Sequence, residues 1–218
     1  MVNRFNEFMA GYKPTQLDEV RKVQTVGTDF SELLRKYEWV LVRNDSLPCG
    51  SQISEVLTPD EINSFLQGTK QYEDHRNYSW RNGLIMSILI QNSYNNGYNH
   101  FLLNTEALYK TNNFGFGIIG RKENPLFMSI EGEIWSKLGF GAKNCLFILN
   151  GGAGAQCGEK ARFSEFRIED FADLGCGWNA EDCTFKTPVW ANIEQMRKNI
   201  PKSNTLIYFE NGKEVIIK

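Results

Sequence analysis

The chain has 218 residues, of which 41% are hydrophobic and 23% charged, so it is long enough to bury a sizeable core and its composition argues against global disorder. The formal net charge of −2 gives no electrostatic reason to expect nucleic acid or an anionic membrane as a partner. The apolar runs, such as residues 84–90, are too short to span a bilayer, and the N-terminus lacks the apolar stretch of a signal peptide. Together with an odd number of cysteines, five, these features predict a cytoplasmic protein.

The first 98 residues are predicted to form a mainly helical region. Phe30, Leu33, Leu34 and Tyr37 have helical spacing, which predicts a helix over residues 29–39. A short strand over residues 40–42 and a turn over residues 47–50 are expected to follow.

The next helix has a strong start signal. In Thr58-Pro-Asp-Glu61 a capping threonine precedes proline at the first helical position, and glutamate follows three residues after the cap. Ile62, Phe65 and Leu66 form its apolar face, and Gly68 is the expected stop.

Residues 83–94 are apolar enough for a buried helix that ends at Asn96-Gly97, and residues 101–103 are predicted to be a strand. Whether residues 1–98 form a separate domain or cap the rest of the chain stays open at this stage.

The C-terminal half contains a repeat with a period of 19 residues. It is visible in three stretches that begin at Gly139, Gly158 and Gly177. A weaker earlier copy begins at Gly120 and has Leu126, Met128 and Ile130 at its core positions. The aligned sets that define the period are Gly139, Gly158 and Gly177; Ala142, Ala161 and Ala180; Cys145, Ser164 and Cys183; and Phe147, Phe166 and Phe185.

Within one copy, Cys145, Phe147 and Leu149 alternate with the period of a strand, and glycine and small residues precede them. A fixed period near 20 residues with one alternating segment is typical of a solenoid in which each copy is one coil. Stacking the coils predicts an interior phenylalanine ladder and a corner of alanines. The alternatives are coincidence within an ordinary α/β domain and a leucine-rich repeat, whose leucine and asparagine pattern is missing.

The segment from Ile148 through Ala161 to Ile168 resembles a glycine-rich repeat that occurs in two enzymes, in the C-terminal domain of the glutamate synthase large subunit and in one of the subunits of formylmethanofuran dehydrogenase. Ala153-Gly154, Gly158 and Ala161 match that pattern. Phe163-Ser164 and Asp182-Cys183 depart from it, because the family has a second glycine pair there. The resemblance covers about residues 115–187. It implies a right-handed parallel β-solenoid with a chiefly structural role and no transferable catalytic residue.

The chain after the repeat has the features of a cap. Pro188 should stop the last strand, and residues 189–199 should form an amphipathic helix with Trp190, Ile193 and Met196 on one face. Asn211-Gly212 between two apolar runs predicts a hairpin. The predicted fold class is therefore α+β, with a helical region over residues 1–98, a short parallel β-solenoid over residues 99–187, and a helix and hairpin cap over residues 188–218.

Few residues point to chemistry. His75 and His100 lie in no metal-ligand pattern, and Gly151–Gly154 lacks the Lys-Ser/Thr of a phosphate-binding loop. Cys157 and Cys176 stand one period apart, within reach of a disulfide, but small apolar filling of a narrow interior is the preferred interpretation. No metal or cofactor is expected.

Glu169, Asp170 and Asp173 form an acidic corner, which is a candidate ligand site for calcium or for carbohydrate acid–base work, although a solvated corner is the simpler interpretation. Exposed tryptophans at positions 135, 178 and 190 would suit sugar stacking, and core or cap packing explains them equally well. The function predicted first is a non-enzymatic structural or protein-interaction protein that binds another protein or itself. The alternative is a carbohydrate-binding or carbohydrate-active protein.

Overall fold

The structure, a computed structural model, describes residues 29–42, 52–210 and 212–217. Within these ranges the protein is mixed α/β, with four α-helices and a mostly parallel seven-stranded sheet. The helices are α1 (Ser31–Val42), α2 (Pro59–Gly68), α3 (Tyr78–Asn95) and α4 (Trp190–Asn199). The strands are β1 (His100–Asn104), β2 (Leu126–Glu131), β3 (Ile134–Ser136), β4 (Cys145–Leu149), β5 (Ala153–Ala155), β6 (Glu165–Ile168), β7 (Thr184–Thr187), β8 (Thr205–Glu210) and β9 (Lys213–Ile216). Of the helices in these ranges, none has both the length and the apolar character required to cross a bilayer.

Helix α1 includes the residues for which the sequence predicted a short strand. Its buried face consists of Leu33, Tyr37, Val40 and Leu41. The strand prediction over residues 40–42 was wrong, because Val40 and Leu41 follow Tyr37 by three and four positions and so extend the same helical face into the core. The turn predicted over residues 47–50 lies outside the described residues.

Helix α2 begins with the predicted capping box. The Thr58 side chain accepts a hydrogen bond from the Glu61 backbone N–H at 3.2 Å, and the Glu61 carboxylate accepts one from the Thr58 N–H at 2.8 Å. The helix ends at Gly68 as expected, and a 3-10 helix over Thr69–Tyr72 continues the chain. Helix α3 starts five residues before its predicted beginning and is followed by Gly97 at a φ of +104°.

The main sheet has the strand order β1-β2-β4-β6-β7-β8-β9, and every neighbouring pair is parallel except β8 with β9. From β2 to β7, residues 19 positions apart face each other: Met128 pairs with Phe147, Phe147 with Phe166, and Phe166 with Phe185. The weak repeat copy that begins at Gly120 is thereby confirmed as β2.

Two further lines of parallel pairing run beside the main sheet. Strands β3 and β5 form a two-stranded sheet, which an isolated bridge extends from Ala153 to Ala172. A third line of bridges joins Ile119, Lys143, Arg162 and Glu181 in succession. The segments that contain β4 and β6 therefore pair with each other at three places.

Helical side chains satisfy the backbone of the first paired segment. Gln67 on α2 donates to the Asn104 carbonyl at 2.7 Å, and the Asn63 side chain accepts from the Asn104 N–H at 2.9 Å. On α3, Gln91 accepts from the Ile119 N–H at 2.7 Å and donates to the Ile119 carbonyl at 3.2 Å. These amides occupy the positions that another strand would otherwise fill, which closes an edge prone to aggregation.

At the C-terminal end of the paired segments, two asparagine side chains form hydrogen bonds with backbone groups of the last segments. Asn192 on α4 accepts from the Ala172 N–H at 2.9 Å and donates to the Asp170 carbonyl at 2.6 Å. Asn204 accepts from the Cys183 N–H and donates to the Ala180 carbonyl, both at 2.8 Å. Both asparagine side chains are buried, so their hydrogen bonds are shielded from water.

The predicted hairpin is confirmed by the antiparallel pairing of β8 with β9, and β7 ends immediately before Pro188. Strand β8 also pairs in parallel with β7, so the parallel sheet extends beyond residue 187. The helix predicted over residues 189–199 is α4, but its predicted apolar face was partly wrong. Ile193 and Met196 are buried together with Asn192, whereas Trp190 is 47% exposed.

Candidate functional site

The phenylalanine ladder, Phe147, Phe166 and Phe185, lies in the core with at most 1% of each residue exposed. Successive rings are stacked, with centroids 4.8 and 5.1 Å apart and planes inclined by 7° and 8°. Parallel offset rings at this spacing add an attraction to the burial of apolar area. The ladder residues therefore hold the three strands together and present no group to a ligand.

The aligned glycines lie directly against this ladder. Gly139, Gly158 and Gly177 have φ values of +61°, +64° and +72°. A Cβ at Gly158 would lie 2.9 Å from the Phe185 ring and 3.0 Å from the Phe166 ring. The aligned alanines are fully buried at Ala142, Ala161 and Ala180. These ladder positions are packing positions, where side-chain volume is restricted.

The cysteines in the described ranges, Cys145, Cys157, Cys176 and Cys183, are buried free thiols. Cys157 and Cys176 are in contact, and the hydrogen bond between them together with burial raises the pKa of the Cys157 thiol. Burial raises the pKa of Cys145 to about 12 and that of Cys183 to about 11. At neutral pH the thiols of Cys145, Cys157 and Cys183 therefore stay protonated, which opposes a role as nucleophile or metal ligand.

The three carboxylates of the acidic corner have different surroundings. Glu169 pairs with Arg167, while Asp170 and Asp173 are exposed. One Asp173 carboxylate oxygen accepts from the Leu174 N–H at 2.6 Å. Within the described ranges no three side chains of the histidine, cysteine, aspartate and glutamate types are grouped to hold a metal ion.

The two histidines have local partners. His75 accepts a hydrogen bond from the Asn77 N–H at 3.3 Å through Nδ1. The ring of His100 packs edge-on against Phe127, with centroids 4.2 Å apart.

Gly154, which belongs to the glycine-rich stretch of residues 151–154, lies close to the Trp135 backbone. An added Cβ at Gly154 would be 1.7 Å from the Trp135 carbonyl oxygen.

A buried ionic cluster lies on the main sheet. Lys186 is only 2% exposed, and its Nζ lies 2.9 Å from Glu165 Oε1 and 3.1 Å from Glu214 Oε1. Arg167, which pairs with Lys186 across β6 and β7, contacts Glu169 and lies over the Phe209 ring with 5.0 Å to the centroid. The charges of this cluster are therefore compensated within the protein.

Burial raises the pKa of Glu165, and the nearby Lys186 ammonium opposes that rise. Beside the cluster, the sheet and the hairpin border an open depression with a volume of about 620 Å³. Its lining is formed by Arg167, Glu169, Pro188, Phe209, Gly212, Lys213 and Glu214. The depression is open and of mixed charge, and its Arg167 already has a carboxylate partner in Glu169.

Large apolar side chains are exposed along the paired segments. Trp135 is 50% exposed and packs edge-on against Tyr109, which is 57% exposed, with centroids 5.9 Å apart. Trp178 is 53% exposed. Trp190 lies apart from them on α4, where it contacts Tyr208 and donates to Glu194. The three tryptophans do not form one stacking platform, since no ring contact joins them in the described structure.

The ionic cluster was missed by sequence reasoning. The 19-residue period already places Arg167 beside Lys186, so a pair of cations on one outer face was available from the sequence. Their compensation by Glu214 could not be predicted from the sequence, because that residue belongs to the hairpin.

Comparison with protein-family models, curated proteins and solved structures gives no match for this chain.

Proposed function

We propose that the segment from about residue 99 to residue 187 is a β-solenoid of 19-residue coils, closed by the helical region on one side and by α4 and the hairpin on the other. Three parallel pairings between successive segments support this proposal, because a three-sided coil pairs with its neighbour once on each side. The amides of Gln91, Asn192 and Asn204 at the two ends are consistent with capping. The resemblance to the glutamate synthase repeat stays a prediction.

We further propose that this protein is a non-enzymatic scaffold that binds another protein. The observation that carries the proposal is the exposure of large aromatic and apolar side chains on the paired segments. They are Tyr109, Ile119, Trp135, Phe163, Phe171, Leu174 and Trp178, each between 42% and 68% exposed. The Tyr109 and Trp135 rings are in contact, exposed apolar groups that lie together mark interaction surfaces, and aromatic residues are enriched at such surfaces. A backbone stacked in register holds such groups in fixed positions, which lowers the entropy lost on binding.

The test is capture of a partner by the tagged full-length chain from its own host, followed by reconstitution of the purified pair. We expect a stoichiometric complex with the wild type and its loss in the double variant Trp135→Ala with Trp178→Ala. Trp190→Ala is the matched control, because Trp190 is exposed to a similar extent but lies on α4. A protein that stays a monomer with no stoichiometric partner would contradict the proposal.

A second candidate is carbohydrate binding, which the exposed Tyr109–Trp135 pair favours because two inclined aromatic rings present faces for sugar stacking. The test is the melting temperature in the presence of a glycan panel and of calcium. A rise that is lost in Trp135→Ala, or in Asp170→Ala with Asp173→Ala, would favour this function. The absence of any shift would count against it.

A further inference from the structure

We propose that the basic ridge, defined as Lys137, Phe140, Lys143, Lys160 and Arg162, binds an acidic extended segment of the partner protein. The inference rests on the proposed scaffold function and names the chemistry of its partner. The ridge runs across successive paired segments, on a part of the surface away from the main sheet.

The centre of the ridge is an aromatic stack. The rings of Phe116 and Phe140 are stacked with centroids 5.1 Å apart and planes inclined by 3°. Their backbones are joined by a 2.8 Å hydrogen bond from the Gly117 N–H to the Phe140 carbonyl. Both side chains are half-buried, so each keeps part of its ring available to a ligand.

Two lysines are held at this stack. Lys137 Nζ lies 5.7 Å and Lys160 Nζ lies 5.2 Å from the centroid of the Phe140 ring, within the range of a cation–π interaction. Both lysines have a φ of +58°, in the left-handed region of backbone conformation. One ring therefore gathers two ammonium groups from adjacent segments.

A second row of cations lies three residues after Phe140 along the chain. Lys143 and Arg162 are bridged in parallel, and both are exposed. Arg162 pairs with Glu181 at 3.2 Å, at the end of the row. The row extends the positive charge of the stack onto the neighbouring face.

Two of the four cations of the ridge, Lys137 and Lys143, are not compensated by a carboxylate of the described residues. In the described ranges neither Lys137 nor Lys143 forms an ion pair. Lys160 lies 4.0 Å from the Glu159 carboxylate, and Arg162 pairs with Glu181, so these two cations have carboxylate partners. The ionic cluster around Lys186 has its own carboxylates. Uncompensated cations on a rigid surface attract an anionic partner and set its orientation.

The pattern fits an acidic peptide better than a nucleic acid. A nucleic acid is held by many phosphate contacts, whereas the ridge supplies four cations on a chain with a net charge of −2. A peptide that alternates carboxylates with apolar residues would place its carboxylates at Lys137, Lys143 and Lys160 and its apolar groups on Phe116 and Phe140.

The experiment measures binding of a fluorescein-labelled peptide of repeating Glu-Glu-Phe-Gly to the full-length protein by fluorescence anisotropy. The ridge variant carries Lys137→Glu, Lys143→Glu and Lys160→Glu. The matched control carries Arg197→Glu, Lys198→Glu and Lys202→Glu, which gives the same net charge with three changes outside the ridge. We expect the ridge variant to raise the Kd at least tenfold and the control to change it less than about twofold.

A milder variant with glutamine at the three ridge lysines keeps the test valid if charge reversal impairs folding, and it should raise the Kd several-fold. A Gln-Gln-Phe-Gly peptide should not bind the wild type. Binding that is equal in the ridge variant and the control, or absent in the wild type, would overturn the inference. Tighter binding of oligothymidylate than of the peptide, lost in the ridge variant, would also overturn it and assign the ridge to nucleic acid.

The two proposals fail separately. If the ridge variant still forms the stoichiometric complex that Trp135→Ala with Trp178→Ala loses, the acidic-segment inference fails and the scaffold proposal stands. If the wild type binds neither peptide nor partner, both fail.

Discussion

The ring of Phe166 lies parallel to that of Phe185, 5.1 Å away, although 19 residues separate them in the chain. The change Phe166→Asp would place a carboxylate between two buried rings and should reduce the free energy of unfolding by more than about 4 kcal/mol. Phe163→Asp is the control, because Phe163 is 54% exposed and its φ of +51° is one that aspartate tolerates. Urea denaturation measures both, and equal tolerance of the two changes would contradict the assigned register.

The glycines beside the ladder offer a matched pair of variants. Gly158→Ala combines an unfavourable backbone conformation with contacts of 2.9 and 3.0 Å to two rings, and should reduce the free energy of unfolding by about 3 kcal/mol. Gly141→Ala has a similar φ of +66° but no atom within 4 Å, so about 1 kcal/mol is expected from the backbone alone. Thermal and urea unfolding give the difference, and similar losses would show that the rings yield to the added methyl group.

Asn204 should be needed for stability although it is not a ladder residue. Asn204→Leu would leave the Cys183 N–H and the Ala180 carbonyl without their buried partner, which costs about 1–3 kcal/mol for each group. Asn150→Leu is the control, since Asn150 is exposed and its side chain donates a hydrogen bond to an exposed glutamate, Glu131. Hydrogen exchange should show faster exchange at Cys183 in the Asn204 variant, and unchanged protection there would refute the capping role.

The buried ion cluster predicts a pH dependence of stability. The folded-state pKa of Glu165 is raised above its ordinary value of 4.5, chiefly by burial, so the folded protein holds this proton more tightly than the unfolded chain does. Its contribution is complete below pH 4.5 and is lost as the pH rises through the raised pKa. The free energy of unfolding of the wild type, relative to Glu165→Gln, should therefore fall as the pH rises above 4.5. A relative stability that rises with pH would mean that attraction to Lys186 outweighs burial.

Much of the strand arrangement could be predicted from the sequence. A one-residue change of register would move every side chain of a strand to the opposite face, so the alternation of core residues determines the register. The alignment of Phe147, Phe166 and Phe185 predicted the pairing of β4, β6 and β7, and Asn211-Gly212 predicted the hairpin. These signals are local or strictly periodic, and so a single sequence contains them.

The features that were missed depend on contacts between distant segments. Val40 favours strands by propensity, but burial beside Tyr37 places it in α1. Asn192 was overlooked because a polar residue on a helix is usually exposed, whereas here its amide completes the backbone pairing of Ala172. The stack of Phe116 on Phe140 lies outside the regular 19-residue interval, since 24 positions separate the two residues, and period matching could not detect it.

The constant interval between paired strands also limits how the length of this protein can change. A single residue inserted within strand β6, before Phe166, would move that phenylalanine to the opposite face of the sheet, whereas a duplication of residues 158–176 would add a whole layer in register. The asparagine contacts at the far end involve backbone groups that each layer presents, so the same closing segment would fit the longer stack. Length variants that add or remove a whole layer between β4 and β7 should therefore differ in steps of 19 residues.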